Sequence, residues 1–253
     1  MTTEEWAAGP EERYTTVGGE RIYAQKLGSG PPVVLIHGLG GSSRWWARNV
    51  APLARHHELH IVDVAGCGRS SGRLVLAQAT EQLATWMEIS GLRQASIIGH
   101  SMGGFIATRL AAKHPQLINQ LVLVNAAMSM AGLGAGLPMI WRMPLPLSIM
   151  PVAMGDITRV GLDMIVRATY ELATTDMGPT LAQVLSKTLL VWGEHDQLVP
   201  LRVARAAMLR LPSAALAIIR NAGHVPMWDR PAAFNQAVLS FLSGVPSTAN
   251  MAA

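Results

Sequence analysis

The sequence is most informative at residues 97–104, which read Ile97-Ile98-Gly99-His100-Ser101-Met102-Gly103-Gly104. Two β-branched residues lead into a G-x-S-x-G pattern, and a helix-forming stretch follows. Glycine lacks a Cβ, so glycines at 99 and 103 permit a sharp, strained turn between a strand and a helix. Such a turn presents the Ser101 hydroxyl and places the Met102 amide at a helix N-terminus, where it can bind developing negative charge. We therefore predict Ser101 as a nucleophile and the Met102 amide as an oxyanion donor.

Two later segments supply partners for this serine. Asp196 follows a predicted strand at 188–192, and His224 follows another at 214–219. A histidine can accept the serine proton, while a carboxylate orients the histidine and stabilises its cation. We predict Asp196 as the acid and His224 as the base. A helix N-cap is the competing role for Asp196, and the competing acid is Asp63, which we interpret as support for the turn after its own strand.

A glycine-rich loop, His37-Gly38-Leu39-Gly40-Gly41, follows a predicted strand at 33–36. Such a loop can turn a backbone N–H toward the serine, and we predict the Leu39 amide as the second oxyanion donor. His37 is expected to brace this loop. His100 and His195 adjoin motif residues but are expected to point away from the site.

These pieces together resemble the α/β-hydrolase fold serine hydrolases, over nearly the whole chain. The chain order Ser, Asp, His is the order of that fold. The matching segments are His37-Gly38-Leu39-Gly40, Asp63-Val64-Ala65-Gly66-Cys67-Gly68-Arg69-Ser70, Gly99 to Gly104, Gly193-Glu194-His195-Asp196 and Gly223-His224. The resemblance implies an esterase- or lipase-like enzyme that cleaves carboxylic esters with hydrophobic groups through an acyl-enzyme. It equally covers C–C bond hydrolases, enol-lactonases and slow-turnover ligand receptors, which remain open alternatives.

Hydrophobic periodicity predicts an α/β fold with a doubly wound, mostly parallel sheet. An antiparallel hairpin, 13–17 and 20–27, surrounds the turn signal Gly18-Gly19. Short apolar runs typical of strands buried on both faces then alternate with helical patterns. The predicted strands are 33–36, 59–62, 95–98, 117–124, 188–192 and 214–219. The predicted helices are 42–56, 76–89, 102–114, 200–211 and 231–242.

This alternation stops between 126 and 186, which we predict to be a helical lid inserted into a core domain of residues 1–125 and 187–243. The segment is rich in Met, Leu, Gly and Pro, and Arg142 is the single charged residue from 126 to 155. Trp141, Met128 and Met143 are the predicted substrate-binding residues. Repeated Gly and Pro argue against a membrane-spanning helix here. Residues 244–253 are predicted to be a mobile tail.

Composition narrows the functional classes. The chain has 253 residues, 50% of them hydrophobic, and one cysteine, Cys67, which we expect to be a small buried packing residue. Its net charge of +4 comes from arginines spread singly, so we expect no nucleic-acid partner. No clustered ligands suggest a metal, and we expect no cofactor. An acidic N-terminus without a signal-peptide layout favours the cytoplasm. The expected partner is a hydrophobic ester, and membrane contact through the lid is a less favoured alternative.

Overall fold

An eight-stranded sheet forms the centre of the computed structural model, which describes residues 9–130 and 146–244. The strand order is β1-β2-β4-β3-β5-β6-β7-β8. The strands are β1 (Glu11–Val17), β2 (Glu20–Leu27), β3 (Pro32–Ile36), β4 (Glu58–Val62), β5 (Ala95–His100), β6 (Ile118–Val124), β7 (Lys187–Gly193) and β8 (Ala214–Ile219).

The first two strands form the predicted antiparallel hairpin, and β2 also pairs antiparallel with β4. All remaining neighbours are parallel. Every residue of β5 is buried, because helices cover both faces of the sheet at its centre. The chain therefore has the predicted mostly parallel α/β architecture.

Nine α-helices are present in the described part of the chain. They are α1 (Val50–Ala54), α2 (Leu76–Ile89), α3 (Met102–Lys113), α4 (Met150–Val160), α5 (Leu162–Thr174), α6 (Gly178–Leu181), α7 (Leu201–Met208), α8 (Pro226–Asp229) and α9 (Pro231–Leu242). Helices α4, α5 and α6 lie between β6 and β7, within the span predicted as a lid. The division of the chain into core and lid remains a prediction.

The predicted helix at 42–56 is wrong as a continuous element. The chain instead forms a 3₁₀ turn at Ser43–Trp46 and then the short helix α1. Asn49, between them, is fully buried and its amide donates to the Met227 carbonyl and to Asn235 Oδ1. The stretch before α1 is closed by i→i+3 backbone bonds, such as that from the Asn49 amide to the Trp46 carbonyl at 2.8 Å, and so forms a tighter turn than an α-helix.

Two hydrophobic clusters pack on opposite faces of the sheet, since alternate strand residues point to opposite sides. Val34, Ile36 and Ile97 belong to the larger cluster, whereas Val33 and Leu35 belong to the smaller one. In residues 9–130 and 146–244, no helix is long and apolar enough to cross a membrane. The sheet thus holds the carboxyl ends of β3, β5, β6 and β7 at one edge, where the candidate site lies.

Candidate active site

Ser101 lies in a strained turn between β5 and α3. Its backbone has φ +51° and ψ −114°, a region that non-glycine residues rarely adopt and that costs about 1–3 kcal/mol. The neighbouring glycines make the turn possible. A Cβ on Gly99 would lie 2.4 Å from the Gly103 carbonyl oxygen, and one on Gly103 would lie 2.3 Å from the Ile36 carbonyl oxygen. The steric interpretation of the G-x-S-x-G pattern is confirmed.

The structure brings the three predicted catalytic side chains together. His224 Nε2 lies 3.1 Å from Ser101 Oγ, and His224 Nδ1 lies 2.8 Å from Asp196 Oδ2. All three residues are buried. If the Nδ1–H of His224 donates to Asp196, the Nε2 lone pair faces the serine hydroxyl. This arrangement can accept a proton from Ser101 Oγ.

The loops that carry Asp196 and His224 are bonded to each other. The Glu194 amide donates to the Ile219 carbonyl at 3.1 Å, and the His195 amide donates to the Ala222 carbonyl at 2.9 Å. The loops approach so closely that a Cβ on Gly193 would lie 1.9 Å from the Gly223 carbonyl oxygen. Adjacent pairing of β7 and β8 therefore fixes the distance between Asp196 and His224.

Asp196 is held by four donors. Its Oδ1 accepts from the Leu198 amide at 2.8 Å and the Val199 amide at 3.0 Å, and its Oδ2 accepts from His224 and from the Asn125 side chain. Burial raises the pKa of the Asp196 carboxyl, but the His224 charge and these hydrogen bonds outweigh burial and hold the pKa below its ordinary value. The carboxylate therefore stays ionised. The competing role of Asp196 as a helix N-cap is not observed, because Pro200 precedes α7.

Asn125 is a site residue that the sequence did not reveal. It follows β6, is fully buried and has a left-handed backbone with φ +41°. Its Nδ2 donates to Asp196 Oδ2, and its Oδ1 accepts from the Gly193 amide at 3.1 Å. Asn125 thus holds both the carboxylate and the start of the loop that carries it. A polar residue directly after an apolar strand was the available signal.

The sequence analysis expected the His100 side chain to point away from the site, but it lies beside His224. Its Nε2–H donates to the His224 main-chain carbonyl at 2.8 Å, and the two imidazole rings lie 5.0 Å apart. Burial lowers the pKa of His100 to about 3, so the ring is neutral. The expectation failed because β5 and the His224 loop become neighbours only in the folded sheet. His195, in contrast, is exposed as expected, with 64% of its side chain accessible.

The glycine-rich loop runs directly beside the serine. A Cβ on Gly38 would lie 3.2 Å from Ser101 Cβ. His37 braces the loop as predicted, because its Nε2 accepts from the Val64 amide at 3.1 Å and its Nδ1–H donates to the Gly38 carbonyl at 2.8 Å. Within residues 9–130 and 146–244, neither the Leu39 amide nor the Met102 amide donates a hydrogen bond. Their role as oxyanion donors stays a prediction.

Two further sequence interpretations are confirmed. Asp63 supports its own turn, since its carboxylate accepts from the Ser43 amide at 2.6 Å and the Arg69 amide at 2.7 Å. A Cβ on Gly68 would lie 2.1 Å from the same carboxylate, which shows how tightly the turn wraps around it. Cys67 is fully buried, and burial raises the pKa of its thiol to about 12. A thiol with that pKa is a poor nucleophile at neutral pH.

Of the predicted substrate-binding residues, Trp141 and Met143 lie outside the described residues. Met128 is buried in the larger hydrophobic cluster, and its role toward a substrate stays a prediction. Apolar side chains from α4 and α5 approach the glycine-rich loop. A Cβ on Gly40 would lie 3.0 Å from Ile157 Cγ1 and 4.0 Å from Ile165 Cδ1. Among residues 9–130 and 146–244, no group of three or more His, Cys, Asp or Glu side chains is arranged to hold a metal ion.

Comparison with protein families gives two matches. Residues 31–144 match a family model described as alpha/beta hydrolase fold, and residues 172–248 match one described as TAP-like protein. The two matched segments contain Ser101 in the first and both Asp196 and His224 in the second.

Curated relatives and solved structures agree with this family. The chain is 29% identical to a protein of Pseudomonas savastanoi pv. phaseolicola with the provisional name carbamate hydrolase RutD, covering 84% of this chain and 94% of the relative. It is 28% identical to the 2-hydroxy-6-oxononadienedioate/2-hydroxy-6-oxononatrienedioate hydrolase of Cupriavidus pinatubonensis, and the match covers 93% of this chain and 96% of that relative. A crystal structure of a membrane phospholipase A, described as a bacterial virulence factor, is similar with a TM-score of 0.82 and 25% identity, covering 95% and 88%.

Proposed function

Because this chain belongs to the α/β-hydrolase fold hydrolases, we propose that it hydrolyses carboxylic esters with hydrophobic groups through an acyl-enzyme on Ser101. One observation carries the proposal. The His224 ring bridges Ser101 Oγ, at 3.1 Å, and Asp196 Oδ2, at 2.8 Å. An imidazole between a hydroxyl and an ionised carboxylate is the arrangement that activates a serine for attack on an acyl carbon.

In the acylation step, Ser101 Oγ attacks the ester carbonyl carbon while His224 Nε2 takes the hydroxyl proton. The carbonyl π electrons move onto oxygen, and the Leu39 and Met102 amides donate hydrogen bonds to that oxyanion. Asp196 stabilises the imidazolium that forms. Collapse of the tetrahedral intermediate breaks the bond to the alcohol oxygen, and His224 returns its proton to the departing alcohol.

Deacylation repeats the sequence with water. His224 takes a proton from a water molecule, whose oxygen attacks the acyl carbon on Ser101. The second tetrahedral intermediate collapses to the carboxylic acid, and the proton on His224 goes to Ser101 Oγ. All proton transfers use His224, so the proposed reaction needs no metal or organic cofactor. We also propose a cytoplasmic location, where the buried Cys67 thiol stays reduced.

A hydrophobic substrate is favoured by the residues near the oxyanion loop. Ile157 and Ile165, from two different helices, lie 3.0 and 4.0 Å from the position that a Cβ on Gly40 would take, so apolar side chains lie near the loop that carries the Leu39 amide. Burial of substrate methylene groups against such side chains contributes about 0.8 kcal/mol each. An acyl chain is therefore the part of an ester best suited to this side of the site.

The test is covalent labelling of the protein with a fluorophosphonate probe, followed by peptide mass spectrometry. We expect the adduct on Ser101, and we expect Ser101→Ala to remove it and to lower kcat for p-nitrophenyl esters by roughly 10⁴- to 10⁶-fold. The alanine removes the nucleophile but keeps the fold, which circular dichroism checks. An adduct on another residue, or substantial activity in Ser101→Ala, contradicts the proposal.

A C–C bond hydrolase is the second candidate, because the relative of Cupriavidus pinatubonensis is named a hydrolase of 2-hydroxy-6-oxononadienedioate, a compound whose keto group is joined to its chain by C–C bonds. The same serine, histidine and aspartate would serve it. The two candidates separate when the purified protein is given p-nitrophenyl hexanoate and, in parallel, 2-hydroxy-6-oxononadienedioate. A kcat/KM at least tenfold higher for the ester supports the first candidate, and the reverse order supports the second.

A further inference from the structure

Asp156 is a buried carboxylate that the proposed reaction does not use. It lies on α4, in the connection between β6 and β7, and only 2% of it is exposed. Its Oδ2 accepts from Ser42 Oγ at 2.8 Å and from Trp45 Nε1 at 3.2 Å, and its Oδ1 accepts from the Arg44 guanidinium. A buried carboxylate is destabilising unless donors surround it, and these three supply the donors.

All three donors come from one short segment, directly after the glycine-rich loop. Gly41 N donates to the Gly38 carbonyl at 3.1 Å and closes the turn that contains Leu39. On the upstream side, His37 ties the loop to the Val64 amide. On the downstream side, Ser42 and Trp45 continue the loop, and their hydrogen-bonding side chains are bound to Asp156.

The same helix also contacts the loop through apolar atoms. Ile157, next to Asp156, lies 3.0 Å from the position of a Cβ on Gly40, whose backbone has φ +67°. The Trp45 ring, held by Asp156, lies 3.0 Å from the corresponding position on Gly41 and 5.9 Å from the His100 ring. Helix α4 therefore packs near Gly40 through Ile157 and near Gly41 through the Trp45 ring that Asp156 binds.

We propose that Asp156 is a positioning residue for the oxyanion loop. By binding Ser42 and Trp45 it holds the Leu39 amide where negative charge forms, so that oxyanion stabilisation depends on the docking of α4 against the core. The inference rests on the proposed function. It makes a residue outside the Ser-His-Asp triad responsible for part of the rate, and it links helix α4 of the β6–β7 connection to the chemistry at Ser101.

Arg44 contributes charge but little positional restraint. More than half of its side chain is exposed, at 57%, and an exposed guanidinium can adapt its position to water as readily as to a carboxylate. The Ser42 and Trp45 side chains are buried, so their donor groups cannot bind water in place of the carboxylate. We therefore expect the loop to respond to loss of the Asp156 carboxylate and much less to loss of the Arg44 charge.

The experiment compares Asp156→Ala, which removes the acceptor of both Ser42 and Trp45, with the control Arg159→Gln, an exposed position on the same helix. We measure kcat and KM for p-nitrophenyl hexanoate and the Ki of an alkyl boronic acid, whose adduct with Ser101 places a boronate oxygen at the oxyanion position. For Asp156→Ala we expect kcat/KM to fall about 10- to 100-fold, mainly in kcat, and Ki to rise by the same factor. For Arg159→Gln both constants should stay within about twofold of wild type.

Ser42→Ala serves as a second variant if Asp156→Ala folds poorly, because it removes one donor and leaves the carboxylate with its other partners. We expect a smaller loss, about three- to tenfold, with the same parallel change in Ki. The shape of the pH dependence of kcat/KM should not change in either variant, since His224 and Asp196 are untouched.

The inference is overturned if the variants unfold at lower temperature but keep wild-type kcat/KM and boronate Ki, because Asp156 would then be a purely structural residue. It is also overturned if kcat falls while the boronate Ki stays constant. Failure of the proposed function is distinguishable, since it shows as absence of a fluorophosphonate adduct on Ser101 in the wild-type protein.

Discussion

The acid–base side of the site and the oxyanion side are held in different ways. Asp196 and His224 lie on loops that continue the adjacent strands β7 and β8 and are joined by backbone hydrogen bonds. The Leu39 loop follows β3, but its downstream end is held by side chains that reach Asp156 on α4. The positions of Asp196 and His224 therefore depend on loops that continue the sheet strands, whereas the position of the Leu39 loop depends also on a helix outside the sheet.

The strongest test of the acid–base side exchanges its carboxylate. Asp196→Asn places an amide against His224 and Asn125, both of which donate to Asp196 Oδ2 in the wild-type protein. Loss of the acceptor disfavours the His224 tautomer that faces Ser101, so we expect kcat to fall by roughly 10⁴-fold. Steady-state kinetics with p-nitrophenyl hexanoate measures this change.

Asp63→Asn is the matched control for that variant. Asp63 accepts from two backbone amides, so its replacement leaves one of them facing an NH₂ group. We expect a loss of about 1–3 kcal/mol in the free energy of unfolding, with kcat within a few-fold of wild type. If Asp63→Asn abolishes turnover and Asp196→Asn does not, the acid is Asp63.

We expect a smaller loss of kcat from substitutions of Asn125. Two variants at this position separate the contribution of its side-chain hydrogen bond from that of backbone strain. Asn125→Gly tolerates φ +41° but removes the donor to Asp196, and Asn125→Ala removes the donor and is strained as well. We expect both variants to lower kcat by a similar factor, about 10- to 100-fold. Thermal unfolding should show a further loss of stability in the alanine variant alone. Wild-type kcat in the glycine variant would show that the hydrogen bond is dispensable.

The smallest expected change in kcat/KM follows from adding one methylene group to the acyl chain of the substrate, on the oxyanion side of the site. With about 0.8 kcal/mol per buried methylene, kcat/KM should rise roughly fourfold for each added group from p-nitrophenyl acetate toward hexanoate. Charged acyl groups should be rejected, because Ile157 and Ile165 offer no partner for a carboxylate. A ranking in which acetate is best and hexanoate is hardly cleaved would contradict an apolar acyl site.

Prediction from sequence succeeded where a function depends on a short contiguous motif. The strained turn at Ser101 depends on nearby glycines whose missing Cβ is itself the signal. Asp63 accepts from Arg69, six residues further on, and His37 donates to the carbonyl of Gly38, although each also binds a residue 20 or 27 positions away. Prediction failed at His100, whose partner is the main chain of His224, 124 residues away in sequence. It also missed Asn125 and Asp156, whose partners are distant in the chain.

By itself the sequence determined the alternating α/β pattern, the candidate nucleophile and the order of its partners, because periodicity and glycine placement are local properties of the chain. The tertiary structure alone decided which donors surround Asp196, where the His100 ring lies and that α4 reaches the oxyanion loop through Asp156. Those contacts join elements that become neighbours only when the sheet assembles and buries them. Burial then makes each hydrogen bond necessary, since an unpaired polar group in the interior costs about 1–3 kcal/mol.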